Sequence, residues 1–400
     1  MKVAGIICEY NPFHRGHAAH MAMTREALGP DTGIVCVMGG NFVQRGEPAV
    51  LPKHARAEMA VRGGANLVLE LPVPWAIASA ERFAMGGVSV LNACGLVDTL
   101  SFGSECGDTE RLRRVADVLL CPEADGLIRR ELETGVSYAT AREKAASALI
   151  GSDASLLREP NNILGIEYLK ALERLGASMA ALTVPRVAVD HDGGALGGYA
   201  SASHIRERLL KGGDVSAYML PAAVDILHRE ISAGRAPVTM AAAEPMLLYR
   251  LRTMTDGEFA QLPDSGEGLG ARLAQFARSE PSYEQILEKT KTKRYAHARL
   301  RRMALAALLG VTGEMQKGLP PYIRVLAFDE RGRELLRRMK ETAALPIIVK
   351  PAAARALPAK AREIFELEAQ AGDIYALLSP GKENRAGGGE WTRSPWTLLR

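Results

Sequence analysis

Two histidines, His14 and His17, stand three residues apart with Gly16 between them. If the segment opens a helix, this spacing puts both rings on one face. The free backbone N–H groups of a helix start already attract phosphate. Two imidazoles aimed at one phosphate would stabilise the extra negative charge of a transferring phosphoryl group. Gly16 lets a nucleotide approach the backbone with no Cβ in the way. The ordinary alternative is a pair of surface histidines on a helix start. A zinc reading of His14, His17 and His20 lacks a second ligand cluster, and no metal site is expected.

Other polar segments suit small-molecule or phosphate contacts. Gly39–Pro48 (GGNFVQRGEP) is Gly-rich and runs on to Lys53 and Arg56. Phe102–Glu105 contains Gly103. In Arg158–Asn162 one asparagine can cap a helix, leaving the other of Asn161 and Asn162 free for a ligand. Arg186 follows Pro185, and Ser201–Arg206 has Ser at a helix start and Arg206 in its first turn, a phosphate clamp or a plain cap. Last comes a basic run, Lys289, Lys291, Lys293, Arg294, Arg299, Arg301 and Arg302, with seven cations, no acid and Tyr295 among them. A solvated helix face usually mixes signs. This density fits an RNA backbone, and Tyr295 fits stacking on a base.

The elements that must position these groups are legible as apolar runs. Val3–Cys8, Gly33–Met38, Asn66–Leu71, Val97–Phe102 and Met179–Val184 read as buried strands. They alternate with helices over 16–28, 54–62 and 162–175, which implies βαβ units and a parallel sheet. Ligands of such sheets bind beyond the carboxyl ends of the strands, where the polar segments lie. The expected fold is α/β, a Rossmann-like domain over 1–215 followed by a mostly helical domain over 216–400. Segments 216–233, 241–262, 267–279, 282–309, 329–342 and 360–378 favour helix, Ile347–Val349 reads as a strand, and the tail from about 380 reads as flexible.

The chain has 400 residues, 47% of them hydrophobic and 24% charged, which excludes disorder for its bulk. No stretch approaches the ~18 apolar residues of a membrane span. The net charge of +4 is uneven. Residues 1–215 hold 22 Lys and Arg against 25 acids; residues 216–400 hold 28 against 21. The basic run carries that whole excess, so the chain is a near-neutral enzyme core with one concentrated cationic segment. Five cysteines without a C-x-x-C pair suit a reduced, cytoplasmic protein.

At this point the residues carry a resemblance. GIICEYNPFHRGH (5–17) resembles the H-x-G-H signature of the nucleotidyltransferase superfamily, and its EYNPFH-x-GH form resembles the tRNA(Met) cytidine acetate ligase family. Further stretches match that family in order: GNFVQRGEP (40–48), K-x-x-RAEMA (53–60), NLVLELP (66–72), SFGSE (101–105), EPNNILGIEYLKAL (159–172) and TKRYAHARLRR (292–302). Arg15 departs from the small polar residue usual at its position. The resemblance implies an enzyme that activates acetate with ATP as acetyl-adenylate, without acetyl-CoA. The acetyl group then passes to N4 of the wobble cytidine of elongator tRNA(Met).

It further implies that Ile7, Cys8, Glu9, Tyr10, Asn11, Pro12, Phe13, His14, Arg15, Gly16, His17, Ala18, Ala19 and His20 form the main ATP site. Gly103, one of Asn161 and Asn162, and Arg186 would complete it. His14 and His17 would stabilise the phosphate charge, with Lys53 and Arg206 as secondary candidates and Mg²⁺ accompanying the triphosphate. No membrane or DNA partner is expected. Two rival readings share these residues: a small-molecule adenylyltransferase, and a non-catalytic RNA-binding protein with an ATP site.

Overall fold

A computed structural model describes residues 1–186 and 198–399. Five parallel strands lie side by side in the order Leu67–Leu71, Gly33–Gly39, Val3–Cys8, Thr99–Ser104, Ala180–Pro185. The first four are sandwiched between helical layers, which is why the sequence shows near-continuous apolar runs there, while the edge strand Ala180–Pro185 is only half-buried. Alternation survives inside the runs. Val3, Ile7, Val35 and Val37 face one core with the helices Ala80–Ala93 and Pro160–Arg174. Ala4, Ile6, Ile34, Cys36 and Met38 face the other, with Arg15–Leu28 and Lys53–Arg62. A third apolar cluster binds the later helices to Phe42, Val73 and Ile77.

The chain lays down its first three parallel strands in one direction and then returns to the other side of Val3–Cys8 with Thr99–Ser104. That reversal opens a crevice beyond the carboxyl ends of these two strands. The loop Glu9–His14 and residues Gly103–Glu105 form its two lips.

The second half is mostly helical as expected but holds more strand than the single one read at Ile347–Val349. Ile323–Asp329 is a strand of the same sheet, antiparallel to Leu67–Leu71, and it carries Ile347–Ile348 and Trp396–Leu398 as parallel neighbours. The expected helix 241–262 is two, Met240–Thr253 and Asp256–Gln261, because Thr255 makes a capping box with Glu258. The expected helix 282–309 is also two, Tyr283–Thr290 and His297–Leu309. The tail expected to be flexible is tied down to residue 398. Glu390 is buried against Lys53 and Arg324, and Trp396 lies under Arg62. Among the described residues no helix is long and apolar enough to cross a membrane.

Candidate active site

His14 is the N-cap of Arg15–Leu28, in extended conformation. Its Nδ1 accepts from the Gly16 N–H at 3.0 Å, and His17 Nδ1 accepts from the His14 N–H at 3.2 Å. The two rings thus close a reciprocal capping box, histidines standing where Ser and Glu usually stand. Their centroids are 3.7 Å apart. A Cβ on Gly16 would fall 2.8 Å from the His14 ring, so glycine is needed there for the ring itself.

With both Nδ1 atoms accepting, the uncharged rings carry their proton on Nε2 and present it as a donor. Burial, and then the charge of Arg186, push His14 down to about 3. Burial, then His14, His20 and Arg186, hold His17 well below the usual imidazole range. Both are neutral donors at neutral pH. Burial takes His20 to about 4, and its Nε2 meets Ser101 Oγ at 3.0 Å.

The loop before the helix is fixed from behind. Tyr10 holds φ at 48°, a conformation rare outside glycine. Its hydroxyl lies 3.4 Å from Cys36 Sγ and its ring packs on Phe13 and His17. Ile7 and Phe13 are core side chains, and Pro12 is buried. Cys8 Sγ lies 3.7 Å from the Val37 carbonyl. Asn11 Oδ1 accepts from the Val50 N–H at 2.9 Å. Glu9 accepts from the Gln44 N–H at 2.6 Å. Arg206 donates to the Asn11 carbonyl at 2.9 Å, lies 3.3 Å from Glu47, and so reaches the loop as expected. Arg15 turns outward to the Met219 carbonyl, leaving its departure from the family pattern outside the crevice. Ala18 and Ala19 are half-buried on the first turns of the helix.

The other lip contains a residue the sequence reading passed over. Glu105 accepts from the side chain of Asn161 and from the Asn162 N–H, and lies 3.8 Å from Arg186. Asn162 is not free for a ligand: its Oδ1 accepts from the N–H groups of Glu105 and Cys106 and staples the turn after Gly103. Neither asparagine caps the helix, whose N-cap is Glu159. Gly103 keeps room for Arg186, whose Cγ would sit 3.3 Å from a Cβ there.

Expectations for Lys53, Arg56 and part of the basic run are corrected. Lys53 is 2% exposed and is held at 2.6 Å by Glu70, 2.6 Å by Glu390 and 3.4 Å by Glu368, so its charge is consumed in the core. Arg56 is likewise buried, donating to the carbonyls of Glu9, Gly39, Gly40 and Leu51. In the basic run Tyr295 is 7% exposed; its hydroxyl donates to the Glu267 carbonyl and Arg299 covers its ring. It has no face left for a base. Arg299 and Arg302 are spent on Asp264. Lys289, Lys291, Lys293, Arg294 and Arg301 are exposed.

A five-stranded parallel sheet with paired helix-start histidines at its switch point defines a nucleotidyltransferase of the H-x-G-H class. The HIGH Nucleotidyl Transferase family model matches residues 1–389. Within that class the chain belongs to the tRNA(Met) cytidine acetate ligase family. It is 38% identical to the tRNA(Met) cytidine acetate ligase of Acetivibrio thermocellus, covering 98% of this chain and 99% of that protein. The Thermotoga maritima relative of the same name is 37% identical, with 97% and 98% covered. The crystal structure of Thermotoga maritima TmcAL bound with alpha-thio ATP superposes with a TM-score of 0.93 at 36% identity, covering both chains fully. The apo form gives 0.94.

Proposed function

We propose that the chain joins acetate to ATP as acetyl-adenylate and transfers the acetyl group to N4 of the wobble cytidine of elongator tRNA(Met). The observation that carries this reading is the pair of neutral, stacked imidazoles whose Nε2–H groups stand at the sheet's switch point beside Arg186. In the first step an acetate oxygen attacks the α-phosphorus and pyrophosphate leaves. His14 and His17 donate to phosphate oxygens as negative charge builds on them. Because the rings are already neutral and oriented, no proton must be moved to make them donors. Arg186 supplies the positive charge on the far lip, and Glu105 positions it. In the second step the cytidine amine attacks the acetyl carbonyl and AMP leaves. The anhydride is activated before the amine arrives, so no Ser or Cys nucleophile takes part. Mg²⁺ enters with the triphosphate in this reading.

Acetate-dependent exchange of labelled pyrophosphate into ATP by the purified chain tests the first step. Exchange that needs acetate supports it; no exchange with or without tRNA refutes it. His17→Ala should cost ~10²-fold in that exchange.

A further inference from the structure

Three side chains tie the helix of the histidine pair to the strand beneath the other lip of the crevice. His20 Nε2 lies 3.0 Å from Ser101 Oγ, and Ser101 Oγ lies 2.7 Å from Thr24 Oγ1. Thr24 Oγ1 donates to the His20 carbonyl at 2.8 Å. Thr24 and Ser101 are fully buried. Each hydroxyl has one proton to give. Thr24 spends its proton on a carbonyl, so Ser101 donates to Thr24. Ser101 then has none left for His20, so it accepts from the imidazole. Burial keeps that ring uncharged. Its single proton therefore sits on Nε2, and Nδ1 is a bare lone pair.

That polarity is opposite to its surroundings. His14, His17 and Arg186 all offer N–H donors, and the phosphates they suit are acceptors. His20 Nδ1 has no partner among the described residues and is open to solvent. His20 follows His17 by three residues, so its ring shares that helix face about 4.5 Å further along the axis. Ser101 shares its strand face with Gly103 on the other lip. The lone pair thus stands on the crevice floor, between the histidines and Gly103. It suits a ligand group with a proton to give. In ATP only the sugar hydroxyls and the adenine amine qualify. The sugar is joined to the α-phosphate through one methylene, whereas the amine lies beyond it on the base. One helical turn from a phosphate donor reaches the sugar.

We propose that His20 Nδ1 accepts a hydrogen bond from a hydroxyl of the ATP sugar and so selects ribonucleotides. Ser101 is the positioning residue that keeps the proton off Nδ1. The assignment rests on the ATP reading above.

The test measures binding to the full chain by calorimetry, without acetate or RNA. The ligands are ATP, 2′-deoxy-ATP, 3′-deoxy-ATP and purine riboside triphosphate, which lacks the amine. The wild-type chain should bind ATP about tenfold more tightly than one of the two deoxy analogues. His20→Gln keeps an amide N–H for Ser101 and removes the lone pair, so it should bind ATP and that analogue alike. Ser101→Ala frees the ring to carry its proton on Nδ1 and should cut the preference about threefold. A wild-type chain that binds ATP and both deoxy analogues equally overturns the assignment. So does a sugar preference that survives His20→Gln, or a His20→Gln chain that instead stops distinguishing ATP from the analogue without the amine. Acetate-dependent exchange reads the first step separately, so the two readings fail in different experiments.

Discussion

Four imidazoles largely withdrawn from water should make this protein acid-sensitive in a countable way. Burial, joined at His14, His17 and His54 by nearby charged groups, depresses His14 to about 3 and His20 to about 4, and holds His17 and His54 well below the usual imidazole range. In the unfolded chain each returns to ~6.5. Below that value the unfolded chain binds protons that the folded chain refuses. Stability from these groups is therefore fully present above about pH 6.5 and is lost as the pH falls. At pH 5 each imidazole costs ~2 kcal/mol, so the four together cost ~8 kcal/mol. A domain's whole stability is ~5–15 kcal/mol. Glu9 and Glu70, whose carboxyls burial pushes up, take up protons in the folded state and offset part of this loss.

The assay is urea unfolding at half-unit steps from pH 7.5 to pH 5, at fixed ionic strength, with histidine ring protons followed by NMR on the native protein. Unfolding free energy should fall with a slope approaching ~3–4 protons, and none of the four rings should titrate in the native state above pH 5. His14 or His17 titrating near ~6.5 would refute the claim that the phosphate-facing rings are neutral donors, and a slope below ~1 proton would refute the acid sensitivity.

Three further outcomes are expected. Lys53→Met leaves buried Glu70 and Glu368 without their cation and Glu390 with Arg324 alone, so it should cost ~3–5 kcal/mol in urea unfolding while each folded molecule keeps its exchange activity; unchanged stability with abolished exchange would return Lys53 to the site. Gly46→Ala adds a Cβ 2.6 Å from the Arg301 backbone at a φ of 78°, and should lower stability by ~1–3 kcal/mol, whereas Gly151→Ala, also at positive φ but with nothing within 4 Å, should cost less. Replacing Lys289, Lys291, Lys293 and Arg294 with alanine should reduce the slope of log affinity against log salt by ~3, at ~0.7 per single-strand phosphate contact. Alanine at Arg299 and Arg302 should lower stability instead, since both hold the Asp264 turn.

The sheet was legible because its four inner parallel strands are buried on both faces and write themselves as apolar runs. The histidine pair was legible because its geometry is local: a spacing of three is the capping box. What failed depended on distant partners. Lys53 follows a polar loop and looks like a phosphate ligand, but two of its carboxylates, Glu368 and Glu390, lie in the last part of the chain. Strand Ile323–Asp329 carries Arg324 as its second residue, and a buried arginine looks like a surface one until Glu390 is beside it. Tyr295 reads as a stacking platform because the Glu267 carbonyl that takes its hydroxyl lies in a separate turn, and the folding of Arg299, four residues on, over its ring follows only once that hydroxyl is fixed. Glu105 had a signal, following Gly103 at a strand end, but its role needed Asn161 and Arg186 in space.

The hairpin Phe42–Pro48 has a role its sequence does not announce. An isolated two-stranded hairpin is marginal in water, so its conformation comes from what it touches. Phe42 packs edge-on to Tyr375 in the helical core. The Gln44 N–H holds Glu9, and Arg45 donates to Ser203 at 3.2 Å. Gly46 lies against the backbone of Arg301 and Arg302, and Glu47 holds Arg206, which holds Asn11. Successive residues thus grip the histidine loop on one side and the basic helix on the other. The distance between the imidazoles and the exposed cations is set through this short segment. A shift of the basic helix on binding a polyanion must either break the Gly46 contact or move the loop that positions His14.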